Sequence, residues 1–194
     1  MDWVPAVSAF FLATILIFVA ELGDKSQLVA LWFATRYRWW IVLSGVTAAT
    51  LVVHLASVGA GRALGEVLPE RALLVIVGLS FFGFAWWSLR GDTLTEEDTR
   101  ERKGFLGAFG VVTAAFFISE LGDKTQLATV SIAGRESSWV GVWLGSTLGM
   151  VLADALAVGL GIIAGARLPQ RAIAVGSAVL FVIFGAVTVG AAFV

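Results

Sequence analysis

The sequence predicts an all-α integral membrane protein of six transmembrane helices, built as two inverted three-helix repeats. Composition points to the membrane: 59% of the 194 residues are hydrophobic and 14% are charged, where a soluble domain carries nearer a quarter charged residues. Residues 3–20, 41–61, 72–89, 104–119, 139–166 and 172–194 form six apolar runs in which His54 and Asp154 are the only ionisable groups. A hydrocarbon core of roughly 30 Å takes about 20 helical residues to cross, which gives one span per run. The repeat is written in two short stretches: "ELGDKSQL" at 21–28 returns as "ELGDKTQL" at 120–127, with Ser26 exchanged for Thr125.

Each half reads as a long motif helix, a Gly-rich helix, a short Pro turn and a third helix. The first repeat covers 1–90 and the second 104–194, joined by a charged linker at 91–103. "LPERA" at 68–72 returns as "LPQRA" at 168–172, an offset of 100, one more than the 99 between the motifs. The extra residue falls where "RYRWW" faces "RESSW". Three spans per half is an odd number, so the second copy enters the membrane from the opposite side, as in many secondary transporters. Arg36, Arg38, Arg90, Arg100, Arg102, Lys103, Arg167 and Arg171 fall on one side, against Arg62, Arg71 and Arg135 on the other. The positive-inside rule makes the richer side cytoplasmic and places both termini outside. Trp3, Trp39, Trp40, Trp86, Trp87 and Trp139 sit at span ends, as an aromatic belt does.

The motif helices, Trp3 to Arg36 and Gly104 to Arg135, would each extend roughly 45–50 Å, beyond the hydrocarbon thickness. They must tilt, kink or break, and Gly23 and Gly122 are the natural hinges. Gly45, Gly59, Gly61, Gly141, Gly145 and Gly149 read as positions of close helix packing.

Several classes are excluded or disfavoured. The chain has no cysteine, hence no disulfide framework and no thiolate metal site, and no asparagine to glycosylate. A net charge of −1 gives no case for nucleic acid as partner. The N-terminus lacks the basic region and cleavage site of a signal peptide. "ELGD" has a distant likeness to the Gly-x-Gly-Asp of intramembrane aspartyl proteases. The partner Tyr-Asp is missing, since Tyr37 is the only tyrosine and Arg38 follows it.

Both motifs fall near the membrane midplane. On a continuous helix, Glu21, Asp24, Lys25 and Leu28 share one face, as do Glu120, Asp123, Lys124 and Leu127. An ion at the bilayer centre costs about 2.5–3.5 kcal/mol on insertion scales, so four carboxylates there must converge on positive charge. Lys25 and Lys124 answer in part, as i, i+4 partners of Glu21 and Glu120. Four carboxylates and two lysines still leave a formal −2, which matches a divalent cation. The plainer reading, that these groups only glue helices by hydrogen bonds, accounts poorly for two near-identical copies. Each copy brings further oxygen ligands, Ser26 and Gln27 or Thr125 and Gln126. Such oxygens suit hard or borderline ions, Ca²⁺, Mn²⁺ or Mg²⁺, as cargo rather than as a resident cofactor. Crowded carboxylates also hold protons when the metal leaves, which is exchange chemistry. His54 and Asp154 occupy equivalent places in the second helices. Each reads either as a packing hydrogen bond or as a proton relay supporting the site.

A Glu-x-Gly-Asp-Lys-Ser/Thr signature, once in each half of a six-span chain, resembles the Golgi manganese/calcium–proton exchangers and their bacterial manganese-exporter relatives, within the cation/calcium exchanger group. The resemblance implies transport of Mn²⁺ or Ca²⁺ against protons, with Glu21, Asp24, Glu120 and Asp123 as cation ligands. Organellar members tend to carry an N-terminal leader and a longer central loop, so it also implies a bacterial plasma membrane. An exporter of small organic solutes and a passive cation channel are the competing expectations. The first wants a roomier site with fewer carboxylates; the second is usually built by subunits around an axis.

Overall fold

The computed structural model describes residues 3–90, 107–121, 123–164 and 170–193. The expected linker 91–103, the expected hinge Gly122 and the side chain of Lys25 lie outside the described residues. The helices are α1 (Trp3–Glu21), α2 (Lys25–Ala34), α3 (Trp39–Val67), α4 (Glu70–Arg90), α5 (Gly107–Glu120), α6 (Lys124–Ala133), α7 (Trp139–Ala164) and α8 (Gln170–Ala191). There is no strand among the described residues. Val4–Glu21, Trp39–Val67 and Trp139–Leu160 are long and apolar enough to cross a membrane, while Arg71–Trp86, Gly107–Glu120 and Ala178–Ala191 are shorter apolar helices.

Of the three ways for an overlong motif helix to fit, the chain takes the third: it breaks. α1 ends at Glu21 and α2 starts at Lys25; α5 ends at Glu120 and α6 starts at Lys124. Gly23 has φ +78°, a left-handed conformation open to glycine and costly for residues with a Cβ. Asp24 (φ −79°, ψ 166°) and Asp123 (φ −76°, ψ 165°) then run extended before the next helix begins, with nearly the same dihedrals in both halves. The break also corrects one expectation. Glu120 is 1% exposed and Leu127 is 45% exposed, so the motif residues do not line one face of a continuous helix.

Polarity is distributed inside out. Phe11, Ile15, Val52, Leu79, Ile118, Ile162 and Val187 are exposed, while Glu21, Asp24, Glu120, Asp123, Lys124 and Asp154 are buried. In water this arrangement would be unstable; in lipid the apolar exterior is solvated, and irregular backbone is tolerated where protein surrounds it. Trp39, Trp40, Trp86 and Trp139 are exposed at helix ends. Arg36 lies over Trp32 at 3.9 Å and Arg90 over Trp86 at 3.7 Å, giving two cation–π contacts.

Helix packing follows the sequence repeat. α1 packs on α7 and its counterpart α5 on α3; α2 packs on α7 and α6 on α3; α3 packs on α7, and α4 on α8. Exchanging the halves maps each of these contacts onto another or onto itself. Two contacts join residues 100 apart, which are equivalent in the repeat. Thr50 Oγ1 donates to Met150 Sδ at 3.1 Å, and Phe81 stacks on Phe181 with centroids 6.1 Å apart and planes at 20°. Phe81–Phe184 and Phe84–Phe181 flank that stack as counterparts of one another.

Close packing of α7 on α1 rests on glycine. A Cβ at Gly141 would stand 2.5 Å from the Ala6 carbonyl oxygen, one at Gly149 2.5 Å from that of Thr14, and one at Gly145 would collide with that of Phe10. Gly45 and Gly61 play the same part on α3, against Val112 and the Val130 carbonyl. Gly59 does not: nothing lies within 4 Å of its missing side chain. Gly145→Val is therefore expected to lower the melting temperature in detergent by about 5 °C or more, as overpacking does. Gly159→Ala, which meets open space, should leave it unchanged.

Candidate metal centre between the broken helices

The two breaks deliver the motif carboxylates to one buried place. Glu21 closes α1 and Glu120 closes α5, while Asp24 and Asp123 precede α2 and α6. All four are buried, none more than 4% exposed. Carboxylate oxygens of Glu21, Asp24 and Asp123 lie within 4.8 Å of one another. Metal–oxygen distances run about 2.0–2.6 Å, so a single ion reaches oxygens up to about 4–5 Å apart. Neither aspartate caps its helix with its side chain. The C-terminal ends of α1 and α5 add partial negative charge, which favours a cation.

Glu120 stands outside this trio. Its Oε2 accepts from the Thr125 hydroxyl at 3.1 Å, and the same hydroxyl lies 3.4 Å from Asp123 Oδ2. Neither oxygen of Glu21 has a hydrogen-bond partner, and neither has the buried hydroxyl of Ser26, the counterpart of Thr125. Gln27 serves the fold at the first break. Its Oε1 accepts from the Gly23 N–H at 2.8 Å and its Nε2 donates to the Ala153 carbonyl at 2.8 Å, tying the break to α7. Gln126 is half-buried.

Lys124 is buried and forms an ion pair with Asp24, on the opposite motif. The expected i, i+4 partnership with Glu120 gives way, because the helix that would set that spacing is interrupted between them. Lys124 also acts electrostatically on Glu21 and Asp123. The charges of Asp24, Glu120, Asp154 and Asp123 all act on Glu21. Asp154 is fully buried on α7 with both oxygens lacking hydrogen-bond partners, and His54 is buried on α3 with Nδ1 likewise unpartnered.

Two features escaped sequence reasoning. The Lys124–Asp24 pair spans a hundred residues, and only the internal repeat hinted that the motifs would meet. Ser119, beside Glu120, is buried with an unpartnered hydroxyl; its counterpart is Ala20, so comparing the halves showed no polar repeat there.

A cluster that merely glued helices together would have its polar atoms paired, as buried groups nearly always are. Here Glu21, Asp154 and one oxygen of Glu120 lack such partners. The sequence pattern of one family, described as "Divalent cation/proton antiporter GDT1", matches residues 9–96 and 108–193. The chain belongs to this family. The GDT1 family is one of transporters, and this member is an integral membrane protein. "Putative manganese exporter" of Vibrio cholerae is 36% identical over 145 residues, 72% of this chain and 69% of its own. "GDT1-like protein sll0615" of Synechocystis is 30% identical over 203 residues, 94% of this chain and 97% of its own. "GDT1-like protein 5" of Arabidopsis thaliana is 27% identical over 204 residues, 87% and 89% of the two chains. No solved structure matches.

Removing one partner of a buried ion pair costs about 3–5 kcal/mol when the other charge is left behind. Lys124→Met is expected to lower the melting temperature of metal-free protein, and added Mn²⁺ to restore more of it than in the parent. Stabilisation by Mn²⁺ no larger than the parent's would show that Lys124 does not offset the carboxylates.

Proposed function

We propose that this protein exports a divalent cation, Mn²⁺ first and Ca²⁺ second, in exchange for protons, from a site shared by its two motifs. The observation that carries the reading is the convergence of Glu21, Asp24 and Asp123, from both halves, within reach of one ion. Glu120 completes the four carboxylates, and Ser26, Thr125 and Gln126 add oxygens at their edge. Lys124, and by the repeat Lys25, stands in for the cation when the site is empty. Asp154 and His54, buried in the two equivalent second helices, carry protons between the site and the membrane faces.

The architecture that serves this function is six spans in two inverted repeats, residues 1–90 and 104–194, around a linker at 91–103. The exchange symmetry of the contacts supports it, as do the two contacts between counterparts, Thr50–Met150 and Phe81–Phe181. The distribution of Lys and Arg supports termini outside a bacterial plasma membrane. In the cytoplasm-facing state the ion displaces the lysine from Asp24 and protons from the carboxylates; the motif segments then rearrange about Gly23 and Gly122, and external protons reset the site. An organic solute fits poorly among oxygens held within 4.8 Å of one another.

Proteoliposomes carrying an internal pH dye test the reading. Adding Mn²⁺, Ca²⁺ or Mg²⁺ should move protons in the opposite direction, and Glu21→Gln or Asp24→Asn should abolish the movement. Cation entry without proton movement would make the protein a channel or uniporter. Gly23→Val, which forces a left-handed position onto a β-branched residue, should slow turnover more than it weakens cation binding. The reverse pattern would remove Gly23 as a hinge.

A further inference from the structure

The two motifs are nearly identical in sequence, yet the structure departs from the exchange of the halves in two places that concern the same event. The first is in packing. α4 packs on α6 and α8 on α1, but the counterpart contacts, α8 on α2 and α4 on α5, are absent or marginal among the described residues. Every other principal contact obeys the exchange. The α4–α8 pair therefore leans to one side of the bundle, and the Ser80 and Ser131 hydroxyls, 3.2 Å apart, mark that closed seam. The second departure is in the metal centre. Glu21 is in the trio with Asp24 and Asp123, while Glu120 is set aside and held by Thr125. Ser26, the residue that would hold Glu21 in the same manner, is buried with its hydroxyl unused.

We infer that the two glutamates alternate as cation ligands: Glu21 joins Asp24 and Asp123 when α4–α8 close on α1 and α6, and Glu120 replaces it when they close on α2 and α5. The inference rests on reading the cluster as a cation site and adds which ligand belongs to which state. Symmetry supplies the second state without a second structure. Two halves that share a motif and a helix order, in unlike conformations, have an alternative in which the conformations are exchanged. In that alternative the Ser26 hydroxyl donates to Glu21, the Thr125 hydroxyl is released, and α8 meets α2 where Leu180 and Trp32 are the counterparts of Ser80 and Ser131. The aspartates, extended before their helices in both halves, remain ligands throughout. A cation would then be handed from one glutamate to the other without leaving the two aspartates.

The chain has no cysteine, so disulfide trapping reports each state without background. Ser80→Cys with Ser131→Cys captures the state described here, and Leu180→Cys with Trp32→Cys captures its counterpart. Thr125→Ala should slow the first cross-link and speed the second by about three- to fivefold, the size expected from one hydrogen bond. Ser26→Ala should do the opposite, and Ser26→Thr and Thr125→Ser should resemble the parent. In protein locked by the first cross-link, Mn²⁺ binding followed by electron paramagnetic resonance should weaken about tenfold or more in Glu21→Gln. It should stay within about threefold of the parent in Glu120→Gln. Shifts in the same direction for both alanine variants, or equal losses of Mn²⁺ binding for both glutamine variants, would overturn the inference. Proton-coupled flux is measured separately. Its absence beside opposite cross-linking shifts and unequal binding losses would sink the exchange reading alone.

Discussion

The structure depends on the burial of like charges at the centre of a membrane protein. Glu21, Asp24, Glu120, Asp123 and Asp154 are all buried from the surface, where ionised groups are costly. That cost must be offset, and the fold supplies several partial answers: Lys124 against Asp24, Thr125 against Glu120, and interrupted helices whose polar ends face the cluster. No answer is complete. The oxygens of Glu21 and Asp154 remain without hydrogen-bond partners, and the proposed cation and protons would answer them.

A metal centre that bound its ion permanently would gain from full satisfaction and rigidity. The proposed exchange needs states of nearly equal energy, which a repeat can supply by exchanging the conformations of its halves. Contacts such as Thr50–Met150 and Phe81–Phe181 join counterparts in the two halves. The glycine-lined faces of α3 and α7 hold the motif helices at backbone contact.

The inside-out polarity of the chain joins these two demands. Lipid-facing Phe11, Val52, Leu79 and Val187 give the bundle no hydrophobic drive to close on itself, since lipid tails are as apolar as a protein core. Cohesion then comes from close approach at glycines and from polar contacts such as Gln27 to Ala153 and Trp143 to Leu51.

The sequence by itself determined the membrane class, the duplication, and the residue types of the site. Apolar runs, the eight-residue repeat and carboxylates in an uncharged setting are one-dimensional signals, and each has a local physical meaning. The need for the motif helices to tilt, kink or break also followed from length alone. Only the tertiary structure decided that they break, that Lys124 answers Asp24 rather than Glu120, and that Glu21 and Glu120 are not equivalent despite nearly identical motifs. Gly59 was indistinguishable from Gly61 in the chain, yet one meets open space and the other a carbonyl. The physical reason is common to all of these. Two strings that differ by one hydroxyl residue carry nearly the same propensities, so most of the difference between them comes from what they touch, and contacts such as Lys124 to Asp24 and Gly61 to Val130 join residues far apart in the chain.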